Sequence, residues 1–133
     1  MSSQIFVNLP VKNLKRSVDF FTALGYGFNP QFTDENATCM IVADNIYVML
    51  LVDSFFKTFT KKPVADAKQS TEVLICLSLD SRAAVEEIVK KAVAAGAATP
   101  MPAQDHGFMY QHGFEDLDGH QWEYAYMQPG GPG

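Results

Sequence analysis

At 133 residues, with 47% hydrophobic and 19% charged residues, the chain has the length and composition of one folded domain able to bury roughly two-thirds of its unfolded surface, which excludes a disordered polymer. A formal net charge of -5, from 10 basic and 15 acidic residues, gives no footing for a nucleic acid or an anionic membrane as partner. No apolar run approaches the roughly 20 residues of a membrane-crossing helix, and Met1–Gln4 opens no signal-peptide pattern, so a cytoplasmic protein is expected.

In chain order, Ile5 to Leu9 reads as a short strand closed by Pro10. Asn13 is placed to cap a helix carrying Leu14, Val18, Phe21 and Leu24 at helical spacing, with Gly25 as the glycine that ends it. Phe28 to Phe32 is a candidate strand. Thr38 to Ala43 and Ile46 to Val52 form a hairpin turning through Asp44-Asn45, two residue types that tolerate positive φ. Residues 53–70 form a long connection carrying Phe55, Phe56, Phe59 and the lysines Lys57, Lys61 and Lys62; it is read either as a lid or as a helical turn whose aromatics seal the edge of the core.

The pattern then restarts. Glu72 to Leu79 reads as a strand, Ser81 caps a helix carrying Val85, Ile88, Val89, Ala92 and Val93, and Gly96 ends it. Ala97 to Met101 is a weak strand candidate, and Phe108 to Glu115 and Gln121 to Tyr126 form a hairpin turning through Asp116-Leu117-Asp118-Gly119. Residues 128–133 carry nothing core-forming and are expected to fray. The interval of 68 residues from Asn13 to Ser81 also places Phe6 opposite Leu74, while the 74-residue interval between the turns places Met49 opposite Glu123. The expected fold class is therefore α+β: two βαβββ modules, about 5–52 and 71–127, joined by linker 53–70 into one domain, with a small-molecule cavity between them. Cys39 and Cys76 lie in apolar segments and are expected as buried free thiols.

The segments Asn8-Leu9-Pro10-Val11-Lys12-Asn13-Leu14 through Phe20-Phe21, and Glu115-Asp116-Leu117-Asp118-Gly119-His120-Gln121-Trp122-Glu123, resemble those of the vicinal oxygen chelate superfamily. That superfamily includes glyoxalase I, extradiol dioxygenases, and bleomycin- and fosfomycin-resistance proteins. The resemblance spans residues 5–127. It implies a cupped mixed sheet and a homodimer, and in metal-dependent members four strand positions that present ligands to one divalent cation. Those positions fall here on Phe6, Met49, Leu74 and Glu123. Only Glu123 offers a hard donor, so no metal and no other cofactor is expected.

Strand alternation groups Phe6 with Asn8, Tyr47 with Met49 and Leu51, Leu74 with Cys76 and Ser78, and Gln121 with Glu123 and Ala125 on cavity-facing sides. With Phe56, Phe59 and Tyr110, the residues Phe6, Asn8, Tyr47, Met49, Leu74, Cys76, Gln121 and Glu123 are the candidate ligand contacts. A carboxylate on such a face is costly unless paired, so Glu123 is read either as a general base or ligand acceptor, or as the partner of a nearby Gln, Tyr or His. His112 and His106 are the candidate acid–base companions, with Gly107 and Gly113 as sites for a bulge that would alter the facing of His112; His120, at the turn, is expected on the surface. No GxGxxG, P-loop, HExxH or CxxC motif occurs. The reading that follows is a metal-free binder of a small hydrophobic or aromatic molecule. The alternative is a divergent lyase, isomerase or dioxygenase-like enzyme that moves protons with Glu123 and a histidine.

Overall fold

The computed structural model describes residues 3–129, so most of the expected frayed tail lies outside the described residues. The chain divides between Ala65 and Asp66 into two compact units, inside the expected linker. Each unit is built on a four-stranded mixed sheet.

The first unit holds β1 (Ile5–Val11), α1 (Leu14–Ala23), β2 (Gly27–Asn29), β3 (Ala37–Ala43), β4 (Ile46–Val52) and the short α2 (Asp53–Phe56). Its sheet order is β1-β4-β3-β2, with β1 parallel to β4 and the other neighbours antiparallel. Helix α1 starts where the sequence places it. The Asn13 side chain accepts from the Arg16 amide, and Gly25 follows the helix at φ 105°, a conformation that costs glycine little. The helix buries Ser17, Phe20 and Phe21, and the strand residues Leu9, Val11, Met40, Val48 and Leu50 are also buried.

The second unit holds β5 (Leu74–Ser78), α3 (Arg82–Ala94), β6 (Gln104–Asp105), β7 (Met109–Glu115) and β8 (Gln121–Met127), in the sheet order β5-β8-β7-β6. The Ser81 hydroxyl accepts from the Ala84 amide, and Gly96 follows α3 at φ 112°. Helix α3 packs on β7 and β8 and buries Val85, Val89 and Ala92; Phe114, Trp122 and Tyr124 are buried in the same unit. The Phe114 ring stacks on both Trp122 and Tyr124, at 6.5 and 5.9 Å between centroids.

The two sheets repeat the same ladder. Phe6 pairs with Tyr47 in β1–β4, and Leu74 pairs with Gln121 in β5–β8. The second pair therefore lies 68 and 74 residues beyond the first, the intervals read from the sequence. One step along, Asn8 faces Met49 and Cys76 faces Glu123.

Several local expectations change. The strand foreseen over Phe28–Phe32 stops at Asn29, because Pro30 has no N–H for the ladder and the Asn29 side chain caps a 3-10 turn by accepting from Gln31. Neither Asp44 nor Asn45 takes a positive φ; the register shifts between Ile41 and Ala43, and the additional strand residue accommodates the turn. Ala97–Met101 is not a strand. Only Ala98 bridges to Glu115, and the pairing partner of β7 is instead Gln104–Asp105, beyond Pro100 and Pro102, which have no amide N–H to give. No bulge interrupts β7 against β8, whose register is continuous from Met109–Met127 to Glu115–Gln121. Cys39 is buried, but Cys76 is exposed on the side of β5 not covered by α3.

Candidate functional site

The turn before β8 is organised by Asp116. One carboxylate oxygen accepts from the backbone amides of Asp118 and His120 (2.9 and 3.0 Å), and the other accepts from the indole Nε1 of Trp122 (2.9 Å). Burial pushes the Asp116 carboxyl above the ordinary carboxylate range, against the lowering effects of His120 and of these three hydrogen bonds. Gly119, at φ 93°, closes the turn against the main chain of Ala67 and Lys68; a Cβ there would lie 2.7 Å from the Lys68 amide nitrogen. The Asp116–Gly119 segment thus fixes β8 and, seven residues after Asp116, the position of Glu123.

Cross-strand pairing decides which side chains meet. Glu123 pairs with Gly113 and Cys76, Gln121 with Glu115 and Leu74, and Ala125 with Gln111 and Ser78, so Glu123, Gln121, Gln111, Leu74 and Cys76 share the open face of the sheet. His112 pairs with Tyr124, on the opposite face. Tyr110, two residues earlier on that same face, is buried under Arg82 of α3, whose guanidinium lies 4.3 Å from the ring centroid. Strand alternation thus directs the His112 and Glu123 side chains to opposite sides of the sheet, and Tyr110 packs with the helix rather than on the open face. His106 lies in the β6–β7 turn, exposed, its ring 6.3 Å from Phe108. Beside it Asp105 is held below the ordinary carboxylate range, first by the Gly107 amide and then by Arg82, which bonds it at 2.6 Å.

A pocket of about 270 Å³ opens on this sheet. Leu74, Gln111, Gly113, Gln121 and Glu123 line its strand side, and Pro100, Met101, Pro102 and Gln104 belong to the segment that leaves β7 unpaired between Ala98 and Gln104. Gly113 is required there by close approach, since a Cβ would lie 2.1 Å from the Trp122 carbonyl oxygen. The Cys76 thiol, paired with Glu123, is pushed up by partial burial and by the neighbouring carboxylate, which keeps it a neutral thiol. Among the described residues Glu123 has no ion-pair partner.

Of the candidates read from the sequence, Leu74, His112, Gln121 and Glu123 line this pocket, His112 from a strand position whose side chain alternates to the other face, and Cys76 stands beside it. In the first unit, Phe6 and Tyr47 stack at 4.9 Å with their rings 15° apart on the open face, and the Tyr47 hydroxyl donates to the Asp44 carbonyl. Asn8 and Met49 are paired one step further along that face. Phe56 belongs to α2, and Phe59 is 68% exposed with its ring 5.1 Å from that of Phe55. Gln104, Gln111, Gly113 and the Pro100-Met101-Pro102 wall were not foreseen. The parity of Gln111 and Gly113 with Glu123 across the final hairpin was the signal available for two of them.

A family model described as bleomycin resistance protein-like N-terminal matches residues 4–43. No curated protein matches the sequence. Among solved structures, hypothetical protein SA1046 from S. aureus is 26% identical, with 95% of each chain covered and a TM-score of 0.79. A glyoxalase/bleomycin resistance protein/dioxygenase family enzyme from Burkholderia phytofirmans PsJN is 14% identical, with 95% of this chain and 99% of that one covered and a TM-score of 0.77. The chain has the vicinal oxygen chelate fold. Fosfomycin resistance protein FosX from Mesorhizobium loti shares that fold at 12% identity, with 95% and 92% of the chains covered and a TM-score of 0.68.

The strand positions that the resemblance assigned to a divalent cation in metal-dependent members carry Phe6 and Met49 in the first unit and Leu74 and Glu123 in the second. Phenylalanine and leucine have no lone pair, and a thioether is a soft, weak donor, which leaves one hard ligand. Among the described residues, no group of three or more His, Cys, Asp and Glu gathers anywhere. The donor set does not fit a divalent cation. Nor is any helix among the described residues long and apolar enough to cross a membrane.

Proposed function

We propose that this protein binds a small organic molecule in the pocket over Glu123, without the divalent metal of its metal-dependent fold relatives. One observation carries the reading: the pocket combines apolar walls from Leu74, Pro100, Met101 and Pro102 with a few convergent polar groups, Gln104, Gln111, Gln121 and Glu123. That is the composition of a ligand site, in which apolar contact supplies affinity and a few polar groups fix orientation. Catalysis by Glu123 with His112 is less well supported, since the two side chains leave opposite faces of the sheet. Sequestering a compound, the role that the resemblance to drug-resistance proteins suggests, is part of the proposal.

Amide shift mapping on chelator-treated protein tests it, using a panel of single-ring aromatic fragments. Saturable shifts at Leu74, Gln111, Gly113 and Glu123 are expected. Fragments that bind only elsewhere, or turnover of a bound fragment, would defeat the proposal.

A further inference from the structure

We infer that the group seated on Glu123 is a cationic nitrogen, an ammonium or amidinium, carried on an apolar or aromatic body. The inference rests on the pocket reading above and names its ligand class.

The half-buried Glu123 carboxylate has no cation of its own. No Lys or Arg lines the pocket, the side chain of the lining residue His112 alternates to the face opposite Glu123, and Glu123 joins no ion pair among the described residues. A ligand that covers this carboxylate strips its water. A neutral ligand leaves that loss poorly compensated, and an anionic one adds repulsion; a cation with N–H donors offsets it by a charge-assisted hydrogen bond.

The neighbours suit the same group. Gln104, Gln111 and Gln121 each carry an amide oxygen able to accept from the remaining N–H groups while adding no charge. Cys76, paired beside Glu123, is held as a neutral thiol and adds no second negative charge to the site. Gly113, which pairs with Glu123 from β7, has no side chain to shield the carboxylate, and no larger residue fits there. The volume of about 270 Å³ lies just under the roughly 300–1,000 Å³ of drug-sized sites, so the pocket suits a small amine or one amine-bearing arm of a larger molecule.

The test uses three probes that share one ring: benzylamine, benzyl alcohol and benzoate, titrated at neutral pH into isotopically labelled full-length protein and followed by amide shifts. Benzylamine is expected to shift Leu74, Gln111, Gly113 and Glu123 saturably, with affinity about tenfold or more above the alcohol, and benzoate is expected not to bind. Glu123→Gln is expected to erase the preference of amine over alcohol. Alcohol or benzoate matching the amine on wild-type protein, or a preference that survives in a folded Glu123→Gln, overturns the cation inference and leaves the pocket reading standing. Pocket shifts from none of the three overturn both. If Glu123→Gln does not fold, the order of affinities on wild-type protein decides the matter.

Discussion

Replacing Asp116 by alanine removes the acceptor for three donors at once, the amides of Asp118 and His120 and the indole of Trp122. Hydrogen bonds to a charged group contribute about 1.5–3 kcal/mol each, and a buried donor left unpaired costs about 1–3 kcal/mol. The gross loss is lessened because alanine also removes a buried charge, whose desolvation raises the Asp116 pKa. A net destabilisation of about 3 kcal/mol is expected, a large share of the roughly 5–15 kcal/mol typical of a folded domain. With a urea slope of about 1–3 kcal/mol per molar, the unfolding midpoint falls by about 1–3 M. The assay is urea unfolding followed by circular dichroism and by the fluorescence of Trp122, the only tryptophan and fully buried. Trp122→Phe in a double-mutant cycle, read by dichroism, is expected to show a coupling of about 1 kcal/mol or more with Asp116. A midpoint shift under about 0.5 M for Asp116→Ala, with the native spectrum retained, would refute the reasoning.

Three further outcomes are expected. Gly113→Ala drives a Cβ to within 2.1 Å of the Trp122 carbonyl and should cost about 3 kcal/mol or more, or prevent folding; a variant of wild-type stability contradicts the close approach of β7 and β8. Gly119→Ala meets both its positive φ and the main chain at Ala67–Lys68, and should lower the melting temperature by several degrees, on the order of 4 °C or more. Asp105 should titrate below the ordinary carboxylate range, and Arg82→Ala should raise its midpoint only part of the way, because the Gly107 amide is the larger cause. Since its folded pKa is depressed, its contribution to stability is present above the unfolded value and fades as the pH falls through the folded one. An unshifted Asp105 in carboxyl-detected NMR would show that the tether is not formed.

The sequence was most legible where one residue type has one local use. Asn13 and Ser81 cap helices, Gly25 and Gly96 end them at positive φ, and the intervals of 68 and 74 residues reappear in the ladders of both sheets. It was least legible where irregular chain decides the outcome. Ala97–Met101 was read as a weak strand, yet Pro100 and Pro102 have no amide N–H to pair with β7, and the segment forms a wall of the pocket instead. Cys76 looked buried because its neighbours in sequence are apolar, while its strand parity sets it on the open face beside Glu123. The facing of His112 was ambiguous until the continuous register of β7 against β8 removed the bulge that the glycines suggested. Asp116, read as part of a turn, proved to be the acceptor that ties that turn to Trp122.

The pocket over Glu123 is proposed to bind its ligand without a divalent metal. Mn²⁺ titrated into fragment-loaded, isotopically labelled protein tests it most directly, because a bound paramagnetic ion broadens the amides around it. The account predicts no saturable broadening at Phe6, Met49, Leu74 or Glu123 and no change in fragment affinity. Broadening of those amides that saturates near one equivalent, with fragment binding that depends on the ion, would contradict it.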